Sequence, residues 1–387
     1  MPRVIPFHCR GLLLAGLVWM MVGCESDLPT LPPGPTTETF AVLSAGDEHT
    51  CGLAPDGAAF CWGNNVHGEV GDGAQTRRER PRAVSGDLTF STISAGNDHS
   101  CGLTAAGAAY CWGTSAVGAL GTGSTAARLT PRAVLGGLTF RSISAGNNHT
   151  CALTPAGAAY CWGGNARGAV GDGTLIDRLE PVAVAGGLTF SALEAGFDVT
   201  CAQTAGGTGY CWGANSEGEL GNGGVADQPA PTPITGGHVW ASLSAGGGNA
   251  CGLTTAGAAF CWGNNAHGEL GAGPGGDSAV PVAVSGGLTF TAITTGRGHV
   301  CAIATGGAGY CWGENLEGAL GTGTGVNSDV PVAITGGLAF ALLTAGDDHT
   351  CGLVADGTGY CWGENDDGHL GDGTLVNRLA PTAIRTE

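Results

Sequence analysis

From residue 40 onward the apolar positions come in short runs, each stopped by glycine or proline. In one stretch Leu88-Thr89-Phe90 leads through Ile93 and stops at Ala95-Gly96. His99 to Thr104 is a second run, stopped by Ala105-Ala106-Gly107, and Ala108 to Trp112 is a third, stopped by Gly113. A glycine-rich stretch follows, then a fourth run from Pro131 to Val134. Runs this short, without a 3.6-residue period, predict four β-strands. A proline opening the fourth suits an edge strand, where no ladder donor is needed.

The same block is written seven times. Cys51, Cys101, Cys151, Cys201, Cys251, Cys301 and Cys351 follow one another at intervals of 50 residues. Cys61, Cys111, Cys161, Cys211, Cys261, Cys311 and Cys361 do the same, each followed by Trp-Gly. Gly46, Gly57, Gly63, Gly68, Gly71, Gly73 and Pro81 recur in all seven units. Four short strands per unit match one blade of a propeller. An open solenoid needs atypical end units to cover its exposed faces, and here the end units look like the middle ones. The repeat begins at Phe40-Ala41-Val42-Leu43 and ends at Pro381-Thr382-Ala383-Ile384, neighbouring segments of one unit, so the ends can meet. The expected fold is all-β, a closed seven-bladed β-propeller over residues 40–387.

The pattern AGxxHTCxLTxxGxxYCWGxNxxGxLGxGTxxxRxxPxxV resembles the RCC1 (regulator of chromosome condensation) repeat, in the cysteine-paired form of exported bacterial proteins. The resemblance covers all of 40–387 and implies the propeller. It says less about function, because one fold hosts many activities. One relative is a nuclear exchange factor for a Ran-type GTPase that also contacts chromatin. Secreted β-lactamase inhibitory proteins of the same fold grip a protein partner with one face.

In the first unit Pro55-Asp56-Gly57 fits a three-residue hairpin loop with Gly57 left-handed. Residues 54 and 58 then close the loop and Cys51 lies opposite Cys61, with Cα atoms about 4.5–5.5 Å apart. That is within disulfide reach, so each blade is expected to hold one cross-strand disulfide. Each closes a loop of about 11 residues and contributes roughly 2.5–3 kcal/mol. A metal reading, with His49 beside Cys51 and Cys61, supplies three ligands and fails where Val199 and Asn249 replace the histidine. No metal and no cofactor is expected.

Composition narrows the setting. The chain has 387 residues, 74 Gly, 18 Pro, 16 Cys and a formal net charge of −18, with 14 arginines, no lysine and 32 Asp plus Glu. Such acidity argues against nucleic acid as a partner. The cysteines suggest an oxidising compartment. Arg3, His8 and Arg10 precede a short apolar run, Gly11 to Val22, the layout of an export signal over 1–23. Met21-Val22-Gly23-Cys24 resembles a bacterial lipobox, with Cys24 as the lipidated first residue. An ordinary signal peptide is the competing reading. Residues 24–39 hold four prolines and read as a tether. The expected location is the cell envelope, at the outer membrane or the cell surface, with Cys24 as the membrane anchor.

The remaining repeated residues read as structure. Trp62 and its copies are expected to fill the space between blades rather than form a sugar-stacking shelf. His49, His99, His149, His299 and His349 are expected to hydrogen-bond between blades, and Asn65 and its copies to hold loop backbone. Gly71-Asp72-Gly73 invites a calcium reading, but its Asp becomes Thr122, Asn222, Ala272 and Thr322. No catalytic constellation stands out. Candidate partner-binding residues are those that depart from the repeat: Arg77, Arg78 and Arg80 in a basic cluster with Arg82, Phe197, Gln228 and Trp240; the competing readings are a solvated loop for the arginines and, for Trp240, a stand-in for Phe at the strand start. The expected function is a monomeric, non-enzymatic module for an unknown protein or glycan. A polysaccharide-acting enzyme would instead need non-repeated acids near the axial channel.

Overall fold

The computed structural model describes residues 39–386; the expected export signal, Cys24 and the expected tether up to residue 38 lie outside the described residues. There are 28 strands in seven four-stranded antiparallel sheets, and no helix among the described residues. The first blade is β1 (Val42–Ala45), β2 (His49–Leu53), β3 (Ala59–Gly63) and β4 (Arg78–Ala83), paired in chain order. β1 lies nearest the axis and β4 at the rim, and the other six blades repeat this plan. The chain is a seven-bladed β-propeller.

Register follows from the hairpin loop. The Ala54 N–H donates to the Ala58 carbonyl, and Gly57 closes the turn at φ 85°. Cys51 is thereby opposite Cys61. All seven expected disulfides form, with Cα atoms 4.0–4.1 Å apart. The fourth strand departs from expectation in its start. It opens at Arg78, and at Arg128 in the second blade, rather than at the proline. Pro81 sits where the register breaks between the pairs Cys61–Arg82 and Gly63–Arg78, a rim position that asks for no donor.

The core is seven layers between blades. In the layer between blades 1 and 2, the Cys51–Cys61 disulfide, Leu53, Val70 and Phe90 pack with Trp112 of the following blade. Every Cys-Trp tryptophan is fully buried. Trp112 donates its indole N–H to the Glu69 carbonyl of the preceding blade at 2.8 Å, and Trp62 to His369 at 2.9 Å. Burying about 150–250 Å² of aromatic surface at about 25 cal/mol/Å² supplies roughly 4–6 kcal/mol per junction.

A belt of imidazoles adds polar keys. His49 Nε2 meets Ser100 Oγ at 2.8 Å, His99 meets Thr150 at 2.8 Å, and His149 meets Thr200 at 2.9 Å. His299 pairs with Thr350 at 2.8 Å and His349 with Thr50 at 2.9 Å. Val199 and Asn249 break the belt in blades 4 and 5. Burial holds these imidazoles neutral, His149 falling to about 4.

The ring closes without a blade shared between the two ends of the chain. Blade 1 is entirely N-terminal and blade 7 entirely C-terminal. The Phe40 N–H donates to the Gly357 carbonyl at 2.8 Å. Phe40, Leu43 and Trp62 pack against the Cys351–Cys361 disulfide and Ile384. Each long loop before the fourth strand also reaches over the next blade: Gly73 N–H donates to the Leu129 carbonyl at 2.9 Å, and Gly373 N–H to Glu79 at 2.9 Å.

Two outcomes follow for stability. Replacing Cys151 and Cys161 together by Ala removes one cross-link of sequence separation 10. It should lower urea-unfolding stability by about 2–3 kcal/mol. His149 is neutral when folded and takes up a proton when unfolded below about pH 6.5, so its contribution is lost as pH falls from about 6.5 toward 4. His149→Val, the residue blade 4 uses at Val199, should be less stable at pH 7 by about 1 kcal/mol. It should also lose stability less steeply than the parent between pH 6.5 and 4 in parallel denaturant titrations.

Candidate binding face

The two ends of the propeller differ. One is built from the hairpin loops at 54–58 and their equivalents, with the connections that follow the fourth strands, and its acids among the described residues are Asp56, Asp87 and Asp356. The other is built from the turns between first and second strands and from the long loops before fourth strands. Most departures from the repeat, and most of the acidity, sit on this second end.

Its centre is the mouth of the axial channel, a cavity of about 90 Å³ ringed by Gly46 and its copies. The following position holds five residue types in seven blades: Asp47, Asn97, Asn147, Phe197, Gly247, Arg297 and Asp347. Arg297 pairs with Asp347 at 2.9 Å and lies over the Phe197 ring at 5.6 Å. Asn97 donates to Asn147 at 2.6 Å. Asp47 hydrogen-bonds to Asp347; burial first, then this bond and its neighbour's charge, push Asp47 up to about 9. Burial and the adjacent Asp347 thus favour the protonated form of Asp47. Two carboxyl groups in direct contact are too close to flank a glycosidic bond, which needs about 5 Å or more.

Deeper in the bore one residue breaks a column of small hydroxyls. Ser44, Ser94, Ser144, Ser244, Thr294 and Thr344 share a position with Glu194. The serines key one blade to the next, as Ser44 Oγ does by accepting the Ala95 N–H at 2.9 Å. Glu194 bonds instead to Ser244 and the Ala245 N–H, and the protein around it pushes its carboxyl up to about 7.

Beside the mouth a groove of about 580 Å³ opens over blades 4 to 7. Three glycines make the room: Gly247, Gly248 and Gly298 stand where other blades carry side chains. A Cβ at Gly248 would lie 2.6 Å from Glu217 Oε2. Phe197 and Arg297 form the axial wall, and Glu217, His267, Glu314 and Asp348 are among the polar lining. His267 Nδ1 is 3.5 Å from both Glu269 and Glu314. Burial and the neighbouring Asp347 and Glu314 charges push Asp348 up to about 6. Glu364 on the same face rises to about 7, through burial and nearby acids. The groove is electronegative with an aromatic edge.

The residues singled out in the sequence meet different fates. Phe197 stands at the mouth. Trp240 does not offer a surface anchor: it is 3 % exposed and takes the place that Phe40 and its copies fill, 5.6 Å from the Trp262 ring. Gln228 occupies the repeat position of Arg78, Arg178 and Arg378 and donates to the Ala226 carbonyl at 3.2 Å. Arg78 is bound to Asp72 at 2.5 Å, as Arg178 is to Asp172 and Arg378 to Asp372. Asp72 also takes the Ala74 N–H, so its loop is held by protein groups. Arg77 donates to the Asp366 carbonyl at 3.2 Å and Arg80 lies against Gly373, tying blade 1 to the loop of blade 7. The basic cluster is largely a junction. Asp47, Glu194, Arg297 and Asp347 were missed by reading along the chain. Stacking the seven units and reading down each column exposes them, as does Glu in a column of Ser and Thr.

A closed ring of seven four-stranded blades, each from one 50-residue unit, defines a repeat-built β-propeller. The chain belongs to the RCC1-like family: the RCC1-like domain matches residues 23–289, and the regulator of chromosome condensation (RCC1) repeat matches 307–353 and 356–387. No curated protein matches the sequence. Among solved structures, human WBSCR16 is similar at 20 % identity, covering 85 % of this chain and 94 % of that one, with a TM-score of 0.78. Prp20p from Saccharomyces cerevisiae, studied for its binding to Gsp1p and histones, is similar at 20 % identity over 79 % of this chain and 80 % of its own, with a TM-score of 0.70. The ectodomain of the Physcomitrella patens receptor kinase CR4 is similar at 22 % identity over 84 % and 73 %, with a TM-score of 0.57. At these identities the likeness is one of fold.

Glu194 gives a checkable outcome. Its folded pKa lies near 7 against an ordinary 4.5, so the folded state holds more protons between those values and stability falls as pH rises through them. Glu194→Ser, which restores the repeat residue, should show a shallower loss of Tm between pH 4.5 and 7.5 in calorimetry.

Proposed function

We propose that this propeller is a non-enzymatic binding module outside the cytoplasm, whose channel-mouth face holds a protein or glycan partner bearing positive groups. One observation carries the reading. The departures from a sevenfold repeat gather on one end, and that end is acidic with Phe197 and Arg297 at its centre. Repeated residues maintain the ring; residues that differ blade by blade are free to suit a partner. Seven disulfides support an oxidising setting, and Cys24 in its lipobox-like context supports a lipid anchor at the cell envelope. Monomeric action fits a ring with no unpaired blade.

An enzyme is the second reading, favoured by Glu194 and by the Asp47–Asp347 pair. Asp347 is already held by Arg297 at 2.9 Å and lies in contact with Asp47, which favours binding over catalysis. Nucleotide exchange, by analogy with the family, suits neither the disulfides nor a net charge of −18.

The test is capture from the organism's envelope and culture fluid on immobilised, oxidised protein, with glycans assayed in parallel. A partner should be retained, and its retention should fall at least tenfold with Phe197→Ala combined with Glu217→Gln and Glu314→Gln. Asp356→Asn on the opposite end should change nothing. Retention should also weaken between about 50 and 200 mM salt. Retention indifferent to the groove substitutions, or none at low salt, sinks the reading; cleavage of a glycan would favour the enzyme.

A further inference from the structure

His67, Glu69 and Asp98 form a group that no stretch of sequence announces. His67 and Glu69 lie in the long loop of blade 1, and Asp98 in the first turn of blade 2. The ring geometry lays that loop over that turn. One donor atom from each residue lies within 4.8 Å of the other two, the only such group of His, Cys, Asp or Glu among the described residues.

Glu69 is the telling member. It is 1 % exposed, and its Oε2 accepts the His67 backbone N–H at 3.0 Å. Its other oxygen, Oε1, is buried with no hydrogen-bond partner. A carboxylate oxygen left bare in the interior is costly, and native structures seldom leave one unexplained. The main chain at Glu69 is held as well: its carbonyl accepts the Ser100 hydroxyl at 2.9 Å and the Trp112 indole at 2.8 Å.

The repeat supplies an internal comparison. Blade 5 carries His267 and Glu269 at the same two positions, but Gly298 replaces the aspartate. There the Glu269 Oε1 meets His267 Nδ1 at 3.5 Å, so the carboxylate is answered by its own imidazole. Only at the junction of blades 1 and 2 are imidazole, buried glutamate and facing aspartate all present.

We propose that His67, Glu69 and Asp98 are the protein ligands of a divalent transition-metal site, of the zinc and cobalt class, bridging blades 1 and 2 on the channel-mouth face. One imidazole nitrogen and two carboxylate oxygens suit such ions, and thiolate competition is absent because the propeller's cysteines are all in disulfides. Bonds of about 2.0–2.2 Å require the donors to draw in. His67 is exposed and can do so by a side-chain rotation. Three ligands leave coordination positions for water or for an atom of a bound partner.

The test uses the full oxidised chain, stripped with a chelator and titrated with Co²⁺ by visible absorption, then with Zn²⁺ in competition. One equivalent should bind. Asp98→Asn and His67→Gln should each weaken Co²⁺ binding at least tenfold, with circular dichroism unchanged; Asn148 and Val117 occupy these positions elsewhere in the ring. His267→Gln should leave binding as it was. Absence of stoichiometric binding, or binding that survives both Asp98→Asn and His67→Gln, overturns the proposal.

Discussion

The tryptophan that follows each second cysteine does two jobs at once. Its ring fills the wedge between two blades, against the disulfide of the preceding one, and its N–H ends on a carbonyl of that blade's long loop. Apolar burial alone would let two sheets slide over one another, because it has no direction. The indole hydrogen bond at every junction, joined at five of the seven by an imidazole–hydroxyl pair, gives the junctions their register. The long loop is held in place by the same bond, so the loops that form the variable face inherit the rigidity of the core.

That coupling explains why much of the molecule was readable from the chain and part of it was not. The strands, the hairpin at Pro55-Asp56-Gly57, the pairing of Cys51 with Cys61 and the burial of Trp62 all depend on local spacing, which a 50-residue period displays seven times. The histidine pairs were legible for the same reason. Trp240 was misleading because it is rare in its context, yet the repeat position it fills is an aromatic one. The arginines at 77 to 80 were misleading because charge clustering in sequence says nothing of the partners that Asp72 and the loop of blade 7 bring alongside.

The channel mouth was hidden for a different reason. Asp47 and Asp347 are 300 positions apart and neighbours only because the ring closes. Arg297 reaches Phe197 across the blade between them. Glu69 and Asp98 meet through a loop that crosses to the next blade. In the first two cases the contact is between equivalent positions of different units, so its separation is a multiple of the period. The repeat that reveals the fold thus also holds the map of the face, once read as seven rows rather than one line.

The inner glycines carry a further consequence. A Cβ at Gly46 would collide with the Gly96 carbonyl oxygen, and the same is true around the ring to Gly346 and Gly46. The innermost strands therefore touch at backbone distance, and that contact sets the angle each wedge subtends. Duplication or loss of one 50-residue unit leaves every local contact available, but the bore would have to widen or shrink. The number seven is then a property of that glycine contact as much as of the gene, and a propeller of another size would have to be retuned there first.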